Sequence, residues 1–574
     1  MSEIINIFKY GLKRISARGK HALLIYTVAL IFGIVLDGVG IFYASKAINA
    51  WSGSNDSSSR VDNHSTLVII LIAMLLFVTR GLLVGYASIV GMKNLAKDET
   101  RIAVENWKAF QNKSWNDRRS EQVSSLLVLL QDAPQALIQN TIFNCITITI
   151  QIMNVVAVLG ILCIISFPVA LGTLCFFSLL GLLQNKYLSK WSSEIGERRR
   201  DSLSEMYDGT ALAYMLSRTF SVMPSHTFSE YIYKRRLALS NALVDTKLVQ
   251  LFPRYGLELA LLVGSGFIVA ASYVFGDGSR TTDNLVLFLL AGFRIVPIAS
   301  HIQSLMSAML TEIPFIKLEQ QLLSNTETAI YGEDLRRYEI RTKSDDGPRK
   351  LIIKSASYSY PDSTNLAIDN VSIEFETGKI YAIVGTNGAG KSTLLDLILG
   401  LIQPADGKLI WTGSSQPKLA YIPQVTDVFK GSFSENITLE WDSDNQDTEL
   451  LDYLRTVMRR VYGDDEKISA TEDLRSLSGG QKQFLTFLRA LYRNPEILVL
   501  DEATSSLDDE TEKSINEICA SYAPDTCIIG VAHRLSSIMA ADEIIYLKNG
   551  KLICAGSLEE VSQKIPEFLA LISD

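Results

Sequence analysis

The sequence predicts two parts: an all-α domain with six transmembrane helices, followed by an α/β domain built around a phosphate-binding loop. Two observations support this division. The first 312 residues hold long apolar stretches, whereas residues 346–574 have the mixed composition of a soluble α/β domain. A chain of 574 residues is also too long for one core. We expect a membrane domain over 1–325, a linker over 326–350 and a nucleotide-binding domain over 351–574.

Each apolar stretch is long enough to cross a bilayer, which needs about 20 residues. The six predicted spans are Ala22–Ile48, Thr66–Met92, Thr141–Ser166, Val169–Leu188, Val249–Phe275 and Leu285–Leu310. Basic residues precede the first span and follow the second and fourth spans, so we expect the N-terminus and the nucleotide-binding domain on the cytoplasmic side of the membrane. The amphipathic segment Ile4–Ile15 is expected along the inner membrane surface.

The loops after the second and fourth spans are long, charged and rich in helix-forming residues. They indicate that the spans continue as helices and meet at short turns, the alternative being a separate amphipathic hairpin on the membrane surface.

Several ionisable residues interrupt the predicted spans, and each costs about 2.5–3.5 kcal/mol at the bilayer centre. The candidate cargo-contacting residues among them are Asp37, Arg80, Arg254, Glu258 and Arg294. They either pair with one another, as Arg254 and Glu258 can at one helical turn, or line a cavity that receives an anionic group.

The phosphate-binding loop follows an apolar strand, Ile380–Val384, and leads into a predicted helix, Leu394–Leu399. Its residues are Gly385, Thr386, Asn387, Gly388, Ala389, Gly390, Lys391, Ser392 and Thr393. The glycines let backbone N–H groups converge on a phosphate, which the positive end of the helix also attracts. Lys391 is expected to reach the terminal phosphates, and the Ser392 hydroxyl to hold Mg²⁺.

Two further segments complete the predicted site. The predicted strand Ile497–Glu502 ends in two acids, of which Asp501 is expected to hold the metal. A second anion-binding helix start is formed by Ser478, Gly479, Gly480 and Gln481, ahead of a helix predicted over Gln483–Leu491. One chain cannot easily direct both helix starts at one phosphate. Two copies arranged head to tail can, so we expect a homodimer with ATP between its protomers.

With these motifs in this order, the chain resembles half of an ABC transporter of the exporter type over nearly its whole length. The resemblance implies that Tyr360 stacks on adenine and that Gln424 reaches Mg²⁺ and the attacking water. It also implies that Glu502 orients or deprotonates this water and that His533 contacts the γ-phosphate. Asp508, in Ser505–Asp508, fits the loop that crosses between subunits.

Two departures from the family pattern concern coupling rather than ATP chemistry. The stretch from Leu401 to Tyr421 is short for an exporter. The segment Ala470–Ser476 lacks the usual Gly-Glu-Arg-Gly run.

The cargo is indicated by two short stretches, Phe252–Glu258 and Phe293–Pro297, which are similar to bacterial lipid-linked oligosaccharide flippases. Arginine pairs bidentately with phosphate, so an amphipathic cargo with an anionic pyrophosphate is expected. The alternatives are a peptide or toxin exporter, a drug or lipid A-type exporter, and a membrane ATPase that regulates a partner without moving cargo.

Charge and cysteine usage exclude other classes. The net charge is −8 and no basic stripe with interleaved aromatics is present, which argues against a nucleic-acid partner. The six cysteines form no C-x-x-C motif, so neither zinc nor disulfides are expected.

Overall fold

The computed structural model divides into two compact units, which are described separately. The first comprises Met1–Lys113 and Arg118–Ile330, and the second comprises Ser114–Asp117 and Tyr331–Asp574. The structure describes residues 2–52, 63–165, 167–217, 219, 225–275, 278–324, 338–341, 348–361, 363–426, 428–440, 447–462, 474–502, 508–522, 524–532, 538–565 and 568.

Long helices dominate the first half of the chain. The α-helices of this part, long and short, are in order α1 (Ser2–Arg14), α2 (Ala17–Ser52), α3 (Asn63–Gln111), α4 (Trp115–Ser120), α5 (Val123–Leu127), α6 (Ala133–Gln135), α7 (Asn144–Ile165), α8 (Phe167–Met215), α9 (Ser225–Phe275) and α10 (Gly278–Ser324). Five of the six predicted spans lie within one long helix each, and the third, Thr141–Ser166, begins in a π-helical segment and continues through α7. Helices α3, α8 and α9 extend well beyond their spans, which confirms that these spans continue as helices.

Three helical segments are long and apolar enough to cross a bilayer in the part of the chain that the structure describes. They are Ala17–Gly40, Leu67–Gln111 and Val123–Ile164. The other three predicted spans lie within α8, α9 and α10. The total of six spans therefore stays a prediction.

The chain stays helical between α5 and α7 by widening into two π-helical segments, Val128–Asp132 and Ala136–Phe143. Thr141 follows this wider spacing, since its Oγ1 donates to the carbonyl of Ala136, five residues earlier, at 2.9 Å. Such π-helical segments are uncommon and depend on tertiary packing. Here they are largely buried within the helical unit.

Helix α1 packs on the helical unit rather than presenting its apolar face to a membrane surface. Ile4 and Ile7 are buried in a cluster with Ile138 and Ile142 of the second π-helical segment. The apolar face of α1 is therefore covered by protein. The expectation that this segment lies along the inner membrane surface stays a prediction.

The second unit contains two sheets. Their strands are β1 (Glu339–Ile340), β2 (Lys350–Tyr358), β3 (Ile368–Glu376), β4 (Ile380–Gly385), β5 (Asp406–Trp411), β6 (Leu419–Ile422), β7 (Ile497–Asp501), β8 (Cys527–Val531), β9 (Glu543–Lys548) and β10 (Lys551–Gly556). The four-stranded sheet has the order β1-β5-β2-β3, and the six-stranded sheet has the order β10-β9-β4-β8-β7-β6. Strands β4, β6, β7, β8 and β9 form a parallel core, with β10 antiparallel at one edge.

Helices cover the sheets of the second unit. They are α11 (Lys391–Ile398), α12 (Phe433–Thr438), α13 (Thr448–Tyr462), α14 (Gly479–Tyr492), α15 (Asp509–Tyr522) and α16 (Leu558–Lys564). Helix α11 packs into the core that the two sheets share, and α14 packs into a second core with α13 and β7. Tyr338, in the predicted linker, is also buried in the shared core, and β1 pairs with β5, so residues ahead of 351 contribute to this unit.

Candidate nucleotide-binding and hydrolysis site

The parallel sheet brings the predicted motifs to one edge. Strands β4, β8, β7 and β6 are neighbours and run in the same direction, so their carboxyl ends lie side by side. This edge is where open α/β sheets bind ligands. The phosphate-binding loop follows β4, Gln424 follows β6, and the two acids lie at the end of β7.

The loop adopts a conformation that requires glycine at two positions. Gly388 and Gly390 have φ angles of +79° and +98°. A Cβ on Gly390 would also lie 2.5 Å from the carbonyl oxygen of Ala367, so the backbone approach leaves no space for a side chain there. Gly390 directly precedes α11, whose free N–H groups and positive end suit a phosphate.

Lys391 lies in the curve of the loop and is largely buried. Its Nζ donates to the carbonyl oxygens of Gly385 at 2.7 Å and Thr386 at 3.3 Å. Burial lowers the Lys391 pKa, and the charges of Glu502 and Asp501 partly oppose this shift. Two neutral carbonyls do not neutralise an ammonium group, so this position fits an anionic phosphate.

Asp501 and Glu502, at the end of β7, each accept a hydrogen bond from a residue in β6 or directly after it. The Gln424 Nε2 donates to the Glu502 Oε2 at 2.6 Å. The Tyr421 hydroxyl donates to the Asp501 Oδ2 at 3.0 Å. Burial raises the Asp501 pKa, while the hydrogen bond from Tyr421 acts in the opposite direction.

Glu502 has a φ of +49°, in the left-handed region that non-glycine residues rarely adopt. Such backbone geometry occurs at functional sites, where the surrounding structure holds it. The turn at Glu502 lets two successive acids face two different partners.

The donor set around the loop fits Mg²⁺. Ser392, Gln424 and Asp501 offer hydroxyl, amide and carboxylate oxygens, which are the hard ligands that Mg²⁺ prefers. Within the described ranges, no group of three or more His, Cys, Asp or Glu side chains could hold a metal alone.

Tyr360 lies beside the loop. Its hydroxyl is 3.1 Å from the Thr393 Oγ1, and its ring meets that of Tyr358 edge-on with centroids 5.3 Å apart. The Tyr358 hydroxyl accepts a hydrogen bond from the Asn116 Nδ2 at 2.6 Å. These contacts hold Tyr360 beside the loop. The contribution of Asn116 has no local sequence signal.

The second helix starts earlier in the chain than the sequence predicts. Helix α14 begins at Gly479 rather than Gln483, because Ser478 is its N-cap. The Ser478 Oγ accepts from the Gln481 N–H at 3.3 Å, and the Gln481 Oε1 accepts from the Ser478 N–H at 2.9 Å. This reciprocal capping box lets α14 start with two glycines despite their low helix propensity.

Of the two remaining predicted site residues, His533 and Asp508, only Asp508 is among the described residues. His533 lies outside the described residues, as do Ser505 and Ser506. Asp508 is exposed and precedes α15, where its backbone carbonyl accepts from the Glu512 N–H at 2.9 Å.

In the helical unit, Arg254 and Glu258 form an ion pair at 2.9 Å with both side chains exposed. This is the internal pairing that one of the two interpretations expected. Arg80 is half-buried and Arg294 is exposed, whereas the side chain of Asp37 lies outside the described residues.

A cavity of about 350 Å³ lies in the helical unit between α7, α8 and α10. Its lining is mainly apolar and includes Val156, Phe177 and Met306. The polar side chains in the lining are Thr173, Ser178, Asn185 and Gln303, and no charged side chain of the described residues lines it.

Fold and site together define an α/β domain with a phosphate-binding loop, joined in one chain to a unit of long, largely apolar helices. The family model described as ABC transporter matches residues 368–505. This range holds the phosphate-binding loop, Gln424, Ser478 and both acids.

Two curated proteins are similar to part of this chain. The ABC transporter ATP-binding protein y4gM of Sinorhizobium fredii is 34% identical over 36% of this chain and 37% of its own length. The heterocyst differentiation ATP-binding protein HepA of Nostoc is 33% identical over 38% of this chain and 37% of its own length. The chain is thus matched to well under half the length of these curated relatives.

The fold is similar to that of a bacterial Atm1-family ABC exporter solved with ATP bound, with a TM-score of 0.78 and 18% sequence identity. That comparison covers 97% of this chain and 98% of the other. It extends over the helical unit as well as the nucleotide-binding domain.

Proposed function

We propose that this protein is an ATP-driven exporter or flippase that moves an amphipathic molecule across the bacterial inner membrane as a homodimer. The observation that carries the proposal is the 2.6 Å hydrogen bond between Gln424 and Glu502, beside Lys391 at the carboxyl edge of the sheet. This bond connects Glu502, the proposed base for the attacking water, with Gln424, which is proposed to reach Mg²⁺ and the same water.

Each residue of the site has a role in this proposal. Lys391 and the N–H groups of the loop bind the β- and γ-phosphates, and Tyr360 stacks on adenine. Ser392, Gln424 and Asp501 would hold Mg²⁺, which would neutralise phosphate charge when bound. Glu502 orients and deprotonates water, and His533 contacts the γ-phosphate. The second copy supplies Ser478, Gly479, Gly480 and Gln481, with Asp508 at the crossing between subunits.

The hydrolysis step is tested with Glu502→Gln in full-length protein reconstituted in liposomes. The variant keeps the hydrogen-bonding geometry but loses the base, so turnover should fall at least about a hundredfold while ATP binding is retained. Glu510→Gln, at an exposed position of α15, is the matched control and should hydrolyse ATP like the wild type. Equal activity in all three proteins would contradict the assignment.

Vectorial movement distinguishes an exporter from a regulatory ATPase. The proposal expects cargo-stimulated hydrolysis and accumulation of cargo on one side of the membrane, both absent from Glu502→Gln. Hydrolysis without movement of any candidate cargo would favour a membrane ATPase that regulates a partner.

For the cargo, we propose a lipid-linked saccharide with a pyrophosphate group. The support is the similarity of Phe252–Glu258 and Phe293–Pro297 to flippases, together with the exposed Arg254 and Arg294. The apolar cavity between α7, α8 and α10 suits the hydrocarbon part of such a molecule. A relative named ABC multidrug transporter MDR2 from Trichophyton rubrum, 32% identical over 38% of this chain and 17% of its own length, favours drug export as the second candidate.

Arginine variants test the anionic group of the cargo. Arg254→Ala and Arg294→Ala should reduce transport more than basal hydrolysis, whereas Lys190→Ala, which removes an exposed i,i+4 pair with Glu194, should alter neither. Mass spectrometry of molecules that co-purify with the wild type identifies the cargo directly. Equal losses of transport and basal hydrolysis would indicate a folding role for the arginines.

A further inference from the structure

Strands β6 and β7 pair in a register that places a tyrosine against the metal-holding acid. Tyr421 is opposite Val499 and Ile422 is opposite Leu500 in this parallel pair. Side chains two residues apart on a strand lie on the same face of the sheet. Asp501 is two residues after Val499, so both side chains lie on one face. The Tyr421 hydroxyl crosses to the Asp501 Oδ2 at 3.0 Å.

The neighbouring contact has the same form. Gln424, three residues after Tyr421, donates to Glu502, the residue after Asp501, at 2.6 Å. One short segment therefore supplies one hydrogen-bond donor to each acid. Gln424 already has a role in the proposed function, but Tyr421 does not.

A hydrogen bond to one carboxylate oxygen limits rotation of the carboxylate and leaves the other oxygen to face a metal or its water. Partners of this kind orient metal ligands and change metal affinity without touching the metal. The Tyr421 side chain is 42% exposed, so its ring is not essential to the core, unlike the flanking Ala420 and Ile422, which are buried.

We propose that Tyr421 is a positioning residue that fixes the Asp501 carboxylate for the Mg²⁺ of bound Mg-ATP. The inference rests on the proposed function and adds a residue that acts through Asp501 rather than on the nucleotide. Removing only the hydroxyl should therefore weaken metal binding and leave metal-free nucleotide binding unchanged.

The test compares wild-type protein, Tyr421→Phe and Tyr453→Phe, each as the full chain in lipid nanodiscs. Tyr453 is an exposed tyrosine of α13 in the same unit and serves as the matched control. Electron paramagnetic resonance of free Mn²⁺, with a non-hydrolysable ATP analogue bound, measures metal affinity without turnover. A fluorescent ATP analogue in EDTA measures nucleotide affinity without metal.

The expected result is about tenfold weaker Mn²⁺ binding by Tyr421→Phe, the lower end of what such partners contribute. Its half-saturating Mg²⁺ concentration for hydrolysis should rise in parallel, and excess Mg²⁺ should restore the maximal rate. Tyr453→Phe should match the wild type.

Wild-type Mn²⁺ affinity in Tyr421→Phe would overturn the inference and leave the proposed function intact, as would loss of turnover that excess Mg²⁺ does not restore. Failure of the wild type to bind Mn²⁺ with the analogue would overturn the proposed function, and this inference with it.

Discussion

Arg14 and Glu319 lie 305 positions apart in the chain, yet the Arg14 Nη1 is 2.6 Å from the Glu319 Oε1. Asn106 completes a triangle with them. Its Nδ2 donates to the same Glu319 oxygen at 2.7 Å, and its Oδ1 accepts from the Arg14 Nη2 at 2.8 Å. The three side chains join α1, α3 and α10. Glu319 is fully buried, and burial raises its pKa.

Breaking this triangle should destabilise the helical unit. Glu319→Ala leaves the largely buried Arg14 charge with only its longer contact, 3.4 Å, to the exposed Glu105 carboxylate. Removing one member of a buried pair costs about 3–5 kcal/mol. Thermal unfolding of the purified full chain measures the loss. The control is Lys317→Ala, because Lys317 pairs with Glu3 between the same two helices but at an exposed position. Its loss should stay within about 1 kcal/mol.

Similar losses of stability in both variants would show that the buried Arg14–Glu319 pair stabilises the protein no more than the exposed Lys317–Glu3 pair. A double-mutant cycle with Arg14→Ala then isolates the coupling between the two side chains.

The sequence could predict the parts of the site in which neighbouring residues act together. The phosphate-binding loop, the strand ending in Asp501 and Glu502, and the Ser478 segment are each continuous, so residue type and spacing sufficed. The contacts of Tyr421 with Asp501 and of Asn106 with Glu319 depend on strand register and helix packing, for which the sequence carries no local signal.

Two further features have physical reasons as well. The sequence predicts the helix after Ser478 from Gln483, but α14 begins at Gly479 because the capping box of Ser478 offsets the low helix propensity of the two glycines. The apolar face of α1 is covered by protein, and the sequence could not show this because an amphipathic pattern does not distinguish lipid from a protein surface.

The phosphate-binding loop offers a comparison of two glycines that both have a positive φ but differ in surroundings. Gly388 has φ +79° with no atom within 4 Å of a Cβ, whereas at Gly390, with φ +98°, a Cβ would be 2.5 Å from the Ala367 carbonyl oxygen. Gly388→Ala should lose about 1–2 kcal/mol of stability from backbone strain alone. Gly390→Ala should lose more, because the loop must also move.

Displacement of the loop should weaken ATP binding by Gly390→Ala at least about tenfold, or about 1.4 kcal/mol. Isothermal titration with ATP and EDTA measures this without hydrolysis, and differential scanning calorimetry measures stability. If the two variants bind and unfold alike, the contact with Ala367 has no effect on the loop.

The last prediction separates the capping role of Ser478 from its proposed role at ATP. Ser478 and Ser557 are both exposed N-cap residues, and each forms a capping box with the residue three positions on, Gln481 or Glu560. Loss of either cap should cost about 1 kcal/mol, so Ser478→Ala and Ser557→Ala should unfold at similar temperatures. Only Ser478 is proposed to meet the phosphates held by a second copy. Since a hydrogen bond to a charged group contributes about 1.5–3 kcal/mol, Ser478→Ala should also slow ATP hydrolysis about tenfold or more. Matching hydrolysis rates in the two variants would leave Ser478 with a capping role alone and would remove the reason to place ATP between two protomers.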